Sequence, residues 1–395
     1  MSAAPPFTLV GARIWDGASA GYLDGADAVV VADGRIAAIG RAGRLIRRGE
    51  AIDVGGRAVL PGLIDCHVHL CLDPSILDPQ AQSRGNDDDE LAAMGARAES
   101  MLRAGITTAR DLGGGRFLEL SLRDAIVRGE ARGPRLLCAG QPVTSPHGHC
   151  HFWGGEAADA EAARAVIDRQ HRRGVDLIKV IATGGNLTRG SRPREAQYDE
   201  ATLAAIVAYA RELGYRVASH CHGTAGIRAS AAARVTTIEH CTWLGEGGSG
   251  SDYDPEAAAT LAANGVWVSP TINSAWRRHI ESNDARVARI GANFAAMRAA
   301  GVRLIASTDA GIPNVRHSDL PAALPIFARY AGLTPVEALR AATSHAAQAL
   351  GIENETGTLE VGRAADLIVV DGDPLSDLAC LASPHAVIKR GQWIL

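Results

Sequence analysis

Histidine and aspartate, two residue types that bind divalent metal ions, recur in this chain where short apolar runs end. The first such run leads into Asp65-Cys66-His67-Val68-His69. Because alternate side chains of a strand point to the same face, His67 and His69 could hold one ion together. A single H-x-H pair is more often a pair of satisfied or solvent-facing histidines, so this pair alone does not predict a metal site.

Four later runs add residues that could complete such a site. Lys179 lies in VDLIKVIA, His220 and His240 end YRVASH and VTTIEH, and Asp309 follows VRLIAST. Taken singly, the lysine could be a strand-end residue reaching solvent, and His240 and Asp309 could be turn or cap residues. Five runs that each carry such a residue instead favour one inward-facing metal site. The lysine is an exception, because a protonated amine cannot bind a cation.

The elements that would position these residues alternate regularly. Between residues 59 and 350, short β-rich apolar runs alternate with amphipathic helical stretches, several of which end at a glycine. The predicted strands are 58–65, 106–112, 134–140, 175–182, 215–220, 235–240, 266–272 and 302–308. Eight strand–helix pairs predict an α/β fold of the (β/α)8 barrel type, in which chemistry lies at the carboxyl ends of the strands.

Both ends of the chain have a different pattern. Residues 6–60 and 358–395 consist of short apolar runs joined by Asp-Gly and Gly-Gly turns, which are typical of β-hairpins. We therefore predict two units. Residues 1–58 plus 356–395 form a small, discontinuous β domain, and residues 59–355 form the barrel.

Composition limits the classes of function. The chain has 395 residues, 47% of them apolar, with 40 basic and 44 acidic side chains. The lack of a basic surplus excludes a nucleic-acid binder held by phosphate contacts, and no apolar run approaches the ~20 residues of a membrane helix. Seven cysteines without C-x-x-C spacing and a first segment without a signal-peptide pattern favour a cytoplasmic protein with reduced thiols. We expect an enzyme acting on a small molecule, with no nucleic-acid or membrane partner.

The chain resembles the amidohydrolase superfamily of metal-dependent hydrolases. Within it, the chain is most similar to the branch of imidazolonepropionase-like amidohydrolases and Xaa-Pro dipeptidases (prolidases). The motifs that carry the resemblance are DGRIAAIG, LPGLIDCHVHL, LIKVIATGG, SHCHGTAGI, TIEH, STDAG and GTLEVGRAADLIVVDGDP. The resemblance implies a (β/α)8 barrel with a small β-sandwich made from both termini, and it also implies a homo-oligomer.

The resemblance gives the lysine a role. In binuclear members, the corresponding lysine reacts with CO2 to form a carbamate that joins two divalent ions. Carried over residue by residue, His67, His69 and Asp309 would hold the more buried ion, and His220 and His240 the more exposed one, with carboxylated Lys179 between them. Imidazole and carboxylate ligands favour Zn²⁺. Two such ions would generate a bridging hydroxide at neutral pH.

The resemblance also suggests catalytic and substrate-binding residues. Asp309 would act as general base and then as general acid, and His222 would stabilise the oxyanion that forms on the substrate carbonyl. His149, in SPHGHC, matches a histidine of the substrate pocket, with His147 and His151 as alternatives. Arg192 lies in a loop with two further arginines and could pair with a substrate carboxylate, although a solvated loop is the favoured explanation of these arginines.

The expected reaction is hydrolysis of an amide bond in a dipeptide or an N-acyl amino acid, with an Xaa-Pro dipeptide as the most specific version. The same metal centre could serve an esterase, a lactonase or a phosphoesterase. A mononuclear deaminase of the same superfamily would carry a glutamate shortly after the fifth-strand histidine, where this chain has Cys221, His222 and Gly223. A non-catalytic relative would have lost ligands that this chain retains.

Overall fold

The computed structural model describes residues 4–82, 85–282 and 284–395. Eight strands of its larger part lie close to where the sequence predicts them. In chain order they are Leu63–Val68, Ile106–Asp111, Arg135–Cys138, Ile178–Ile181, Val217–Gly223, Thr237–Leu244, Trp267–Ser269 and Arg303–Leu304. We number them barrel strands one to eight.

Neighbouring barrel strands pair in parallel and follow one another around a ring. Strands one to three form one sheet, and strands four to eight form another. The first gap is bridged at Val143, whose N–H donates to the Lys179 carbonyl at 2.8 Å. The second gap is bridged by the Asp309 N–H, which donates to the His67 carbonyl at 2.9 Å. The α/β fold class and the barrel architecture are confirmed, and the strand ends face one common mouth.

Helices connect the barrel strands and pack against them. The α-helices among the described residues are Pro79–Gln82, Asp87–Arg103, Leu118–Arg128, Ala160–Arg173, Glu200–Glu212, Thr224–Ala232, Pro255–Ala263, Arg277–Glu281, Ala285–Ala299, Leu320–Ala331, Pro335–Ala341 and Ser344–Leu350, with 3-10 turns at His151–Trp153, Ser274–Trp276 and Leu378–Ala382. The Asp199 side chain caps one helix by accepting from the Thr202 N–H, and Gly174, at φ 73°, ends another. None of these helices is long and apolar enough to cross a membrane.

Strands from the two ends of the chain form two further sheets. One sheet orders Arg35–Gly40, Ala28–Ala32, Phe7–Val10 and Glu50–Asp53, and the other orders Gln392–Trp393, Ala386–Lys389, Leu367–Val370, Ala58–Pro61 and Arg13–Ile14. Leu9, Val31 and Ile388 belong to one buried apolar cluster that both sheets share. The boundaries 1–58 plus 356–395 and 59–355 stay a prediction, and residues 1–3 lie outside the described part.

The chain passes from the terminal sheets into the barrel at Gly62. The sequence predicts one strand over 58–65, whereas the structure divides it: Ala58–Pro61 pairs with Leu367–Val370, and Leu63–Val68 is barrel strand one. A Cβ on Gly62 would lie only 2.7 Å from the Cβ of Thr107, a separation that packed atoms do not reach. The glycine therefore permits the close approach at which the backbone changes sheets.

Candidate metal centre and active site

The end of barrel strand one and the segment after strand eight bring three metal-binding side chains together. The Nε2 atoms of His67 and His69 lie 3.3 Å apart, and Asp309 Oδ1 lies 3.2 Å from the first and 3.5 Å from the second. Donor atoms about 2.0–2.1 Å from a tetrahedral Zn²⁺ are about 3.3–3.4 Å apart, so these three separations fit one ion.

A second cluster lies beside the first, at the ends of barrel strands five and six. His220 Nδ1 is 2.9 Å from His240 Nε2, and His222 completes a group whose ligand atoms lie within 4.8 Å of one another. The His67 and His240 rings are 5.3 Å apart, so the two clusters adjoin. This arrangement could hold two neighbouring metal ions.

Lys179 points from barrel strand four toward both clusters and is buried, yet its Nζ has no hydrogen-bond partner among the described residues. Burial lowers the pKa of this amine to about 8, although the carboxylates of Glu239 and Asp309 oppose the shift. The chain has only one other lysine, Lys389, which is partly buried and whose pKa burial also lowers to about 8. Lys389 donates to the Gly133 carbonyl at 2.5 Å, so only Lys179 lacks a polar partner. A buried polar group without a partner is costly and is expected to bind something.

The backbone at the strand ends is strained. His240, Thr271 and Asp309 have φ values of 67°, 53° and 60°, in the left-handed region that non-glycine residues rarely adopt. Each such conformation costs of order 1–3 kcal/mol and persists only where the surrounding structure enforces it. Here the strain turns His240 and Asp309 toward the clusters, and His240 Nδ1 is fixed 2.8 Å from the Thr271 hydroxyl.

A buried ion pair orients the first cluster. Glu239 Oε2 lies 3.0 Å from His67 Nδ1, and Glu239 Oε1 lies 2.7 Å from Arg110 Nη2. With Nδ1 occupied by the carboxylate, His67 presents Nε2 to Asp309, as histidine ligands of metals commonly do. Neither Arg110 nor Glu239 was predicted from the sequence as part of the site. The available signal was a charged residue inside each of two apolar strands, because a buried charge requires a partner.

Burial controls the protonation of the clusters. It is the main cause that lowers the pKa of His69 to about 3 and the pKa values of His67 and His220 well below the ordinary range, with the Lys179 charge contributing. Burial raises the pKa of the Asp309 carboxyl to about 7, against the effect of Lys179. The imidazoles are therefore neutral at pH 7, which is the form that binds metal ions.

The clusters form the floor of a cavity of about 190 Å³. Its apolar walls include Leu112, Pro142, Cys150, Trp153, Ile181, Leu187, Trp276 and Ile312, and its polar lining includes His149, His222, Asn186, Thr271 and Asn273. His149 is buried and its ring lies 4.7 Å from the His220 ring. His147 and His151 do not line the cavity, so of the three neighbouring histidines 147, 149 and 151 only His149 faces it.

The structure does not bring Arg192 to this cavity. The Arg192 side chain is exposed and lies 2.9 Å from Glu195 Oε1, on a groove outside the barrel mouth. The backbone of Arg192 packs against Gly184, while its side chain forms the exposed ion pair with Glu195. The position of Arg192 in the sequence, after barrel strand four, predicted that it would lie near the barrel mouth. Its ion pair with Glu195 forms only in the folded loop and could not be predicted.

Two nitrogen atoms in the cavity are available to a bound molecule. His222 uses Nδ1 for the Thr242 hydroxyl at 3.0 Å, which leaves Nε2 as its second polar atom. His149 Nδ1 is buried without a partner among the described residues. Burial lowers the pKa of His149 to about 3 and that of His222 to about 4, so both rings are neutral near pH 7 and each carries one N–H that can donate a hydrogen bond.

Comparison with known proteins gives one consistent result. The model of the amidohydrolase family matches residues 58–394. Ochratoxinase of Aspergillus niger is 28% identical over 365 residues, covering 83% of this chain and 73% of that protein, and imidazolonepropionase of Rhizobium rhizogenes is 28% identical over 380 residues, covering 87% and 86%. The crystal structure of a Xaa-Pro dipeptidase with bound methionine matches with a TM-score of 0.85 and 26% identity, covering 98% of this chain and 99% of that one. The chain therefore belongs to the amidohydrolase family and is a hydrolase that acts on carbon–nitrogen bonds.

Proposed function

We propose that this chain is a binuclear hydrolase that cleaves the amide bond of a dipeptide or an N-acyl amino acid. The observation that carries the proposal is the buried Nζ of Lys179, which has no hydrogen-bond partner in the described part of the chain and lies beside two adjoining histidine clusters. A carbamate formed from this amine and CO2 would replace a poorly placed ammonium by two oxygen ligands. The same reaction would remove an unsatisfied donor from the protein interior.

The two clusters supply the remaining ligands. His67, His69 and Asp309 would hold one divalent ion, His220 and His240 would hold the other, and carboxylated Lys179 would join them. Zn²⁺ is the ion that this set of imidazoles and carboxylates favours. When bound, a pair of divalent ions lowers the pKa of water and polarises a substrate carbonyl.

Side chains that line the cavity would stabilise the developing oxyanion and transfer the proton. Neutral His149 and His222 donate hydrogen bonds to the oxygen on which negative charge develops, a contribution that is large in a cavity shielded from water. Asp309 accepts the proton of the attacking water and delivers it to the leaving nitrogen, because its carboxylate lies beside His67 and His69 at the place where that water would lie.

The walls of the cavity favour an apolar substrate. Trp153 and Trp276 contribute aromatic surfaces, and Ile181, Leu187 and Ile312 contribute aliphatic ones. Lys179 is the only cationic side chain among the lining residues that the structure describes, so a substrate carboxylate would meet neutral donors such as Asn186. The likeness to the Xaa-Pro dipeptidase structure supports a dipeptide, with proline as one suitable apolar residue.

The test combines metal content, carbamate chemistry and turnover. We expect about two divalent ions per chain, a carbamate signal in the ¹³C NMR spectrum after incubation with ¹³C-bicarbonate, and hydrolysis of Xaa-Pro or N-acyl substrates from a panel that includes esters, lactones and phosphoesters. Lys179→Ala should lose the signal, metal and activity together. Lys389→Met is the matched control, because it removes the only other lysine of the chain, whose amine is also withdrawn from solvent in part.

Three outcomes would each refute a different part of the proposal. A carbamate signal lost in Lys389→Met but kept in Lys179→Ala would refute the lysine assignment. One ion per chain, unaffected by Lys179→Ala, would refute the binuclear centre. Turnover of esters or lactones without turnover of amides would refute the substrate class while leaving the metal centre intact.

A further inference from the structure

A third group of metal-binding side chains lies on the outer side of the loop that carries His149. His147, His151 and Glu156 each offer one ligand atom, and these atoms lie within 4.8 Å of one another. His147 Nδ1 is 4.0 Å from Glu156 Oε1, and the two imidazole rings are 6.0 Å apart. The side chain of His147 is 92% exposed and that of Glu156 is 41% exposed, so an ion could reach them from solvent.

This group is separate from the buried clusters. None of its three residues lines the cavity described above, whereas His149, Cys150 and Trp153 of the same loop do. The loop therefore presents one set of side chains to the cavity and another to solvent. No role in the proposed hydrolysis uses the outer set.

The backbone of the loop holds the outer set in place. Glu156 Oε1 accepts a hydrogen bond from the His147 N–H at 2.6 Å, and the segment around Glu156 pairs with Thr144. His147 has a φ of 57°, in the left-handed region, and Cys150 has a φ of 58°. Non-glycine residues keep such conformations only where the surroundings enforce them, and they cluster at functional sites.

The donor set has a definite chemical preference. Two imidazoles and one carboxylate, with further positions open to water, are ligands for Zn²⁺ and neighbouring transition-metal ions rather than for Mg²⁺ or Ca²⁺. The side chains of His147 and Glu156 are exposed, so rotamer changes can close the remaining separation. An ion bound here would tie residue 147 to residue 156 across the loop.

We propose that His147, His151 and Glu156 form a third, solvent-accessible site for Zn²⁺, which fixes the loop that carries His149. The site differs from the buried centre in that its ion exchanges with solvent. It acts by restraining the loop and contributes no group to the reaction. Its occupancy is therefore independent of Lys179.

The test is a titration with Zn²⁺ of protein that retains its buried ions after dialysis. Wild type should bind one additional ion, measured by calorimetry and by metal analysis. His147→Ala, His151→Ala and Glu156→Gln should each weaken this binding by about tenfold or more. Even the loss of a group that only hydrogen-bonds to a metal ligand lowers metal affinity by about that factor. Glutamine keeps the acceptor for the His147 N–H, so that variant separates ion binding from loop structure.

His385→Ala is the control, because His385 is an exposed histidine beside a carboxylate, Asp371, in the C-terminal segment. It should bind the additional ion as wild type does, and the ions retained after dialysis should be the same in all variants. No additional ion in wild type, or unchanged affinity in any of the three cluster variants, would overturn the proposal. Loss of the additional ion in His385→Ala would do the same.

Discussion

A substitution at Gly185 offers a test of His149 that leaves every proposed ligand untouched. Gly185 follows barrel strand four and lies against the His149 ring. A Cβ on this residue would lie 2.6 Å from both Cδ2 and Cε1 of His149, and closer still to Nε2. Ordinary van der Waals contact is about 3.5–4.0 Å, so the ring of His149 must move by roughly 1 Å in Gly185→Ala. The His220 ring, 4.7 Å away, limits the directions in which it can move.

The size of the effect follows from the role of His149. Loss of one hydrogen-bond donor to a developing oxyanion typically lowers kcat by about 10²–10³, or about 3–4 kcal/mol, with little change in KM. We expect Gly185→Ala to fall in this range with the best substrate of the panel. Metal content should not change, because His149 is not among the proposed ligands.

A double-mutant cycle checks that the effect passes through His149. In a His149→Ala background the three ring atoms nearest to the new methyl group are gone, so adding Gly185→Ala should cost nothing further. Gly95→Ala is the matched control. Gly95 lies in Asp87–Arg103 with open space around it, so alanine should leave kcat unchanged and stabilise the helix by about 1 kcal/mol. Wild-type kcat in Gly185→Ala, or additive losses in the double variant, would refute the argument.

Three further changes test other parts of the structure. Glu239→Ala should destabilise the fold by about 3–5 kcal/mol in urea unfolding, because it leaves Arg110 buried without its ion pair; a loss below about 1 kcal/mol would contradict this. Arg192→Ala should change kcat/KM by no more than about twofold, as for an exposed side chain outside the cavity, and a large rise in KM would restore its role in binding. Burial lowers the pKa of Lys389 to about 8 from an unfolded value of 10.5, so the unfolded chain binds more protons between these values and folding gains stability as pH rises. The free energy of unfolding of wild type relative to Lys389→Met should therefore rise by up to about 3 kcal/mol across this window, and a flat difference would disprove the shift.

The sequence was sufficient for the barrel and for the residues at its strand ends. Alternating apolar runs and terminal glycines predict each barrel strand, because these signals are local. His67, His69 and Asp309 come together as expected, since parallel strands of a barrel end at one face. The division of the predicted strand 58–65 at Gly62 could not be predicted, because it depends on contact with Thr107, a residue of a different strand.

What could not be predicted depends on contacts between distant segments. The choice of His149 over its two neighbours follows from packing of its ring against His220 and Gly185, which lie beyond the loop. Arg110 and Glu239 are 129 residues apart, and nothing in either strand identifies the other as its partner. The same holds for Arg192, whose exposure results from the folded course of its loop.

Several conformational and electrostatic costs of this fold occur where the metal-binding residues meet. Left-handed backbone at His240 and Asp309, an amine at Lys179 without a hydrogen-bond partner among the described residues and crowded neutral imidazoles all oppose folding. Unfavourable features of this kind are retained where function requires them. Bound metal ions and a carbamate would remove the unsatisfied amine at Lys179 and the crowding of the imidazoles. The strained strand ends and the unpartnered lysine thus support the metal centre independently of the family likeness.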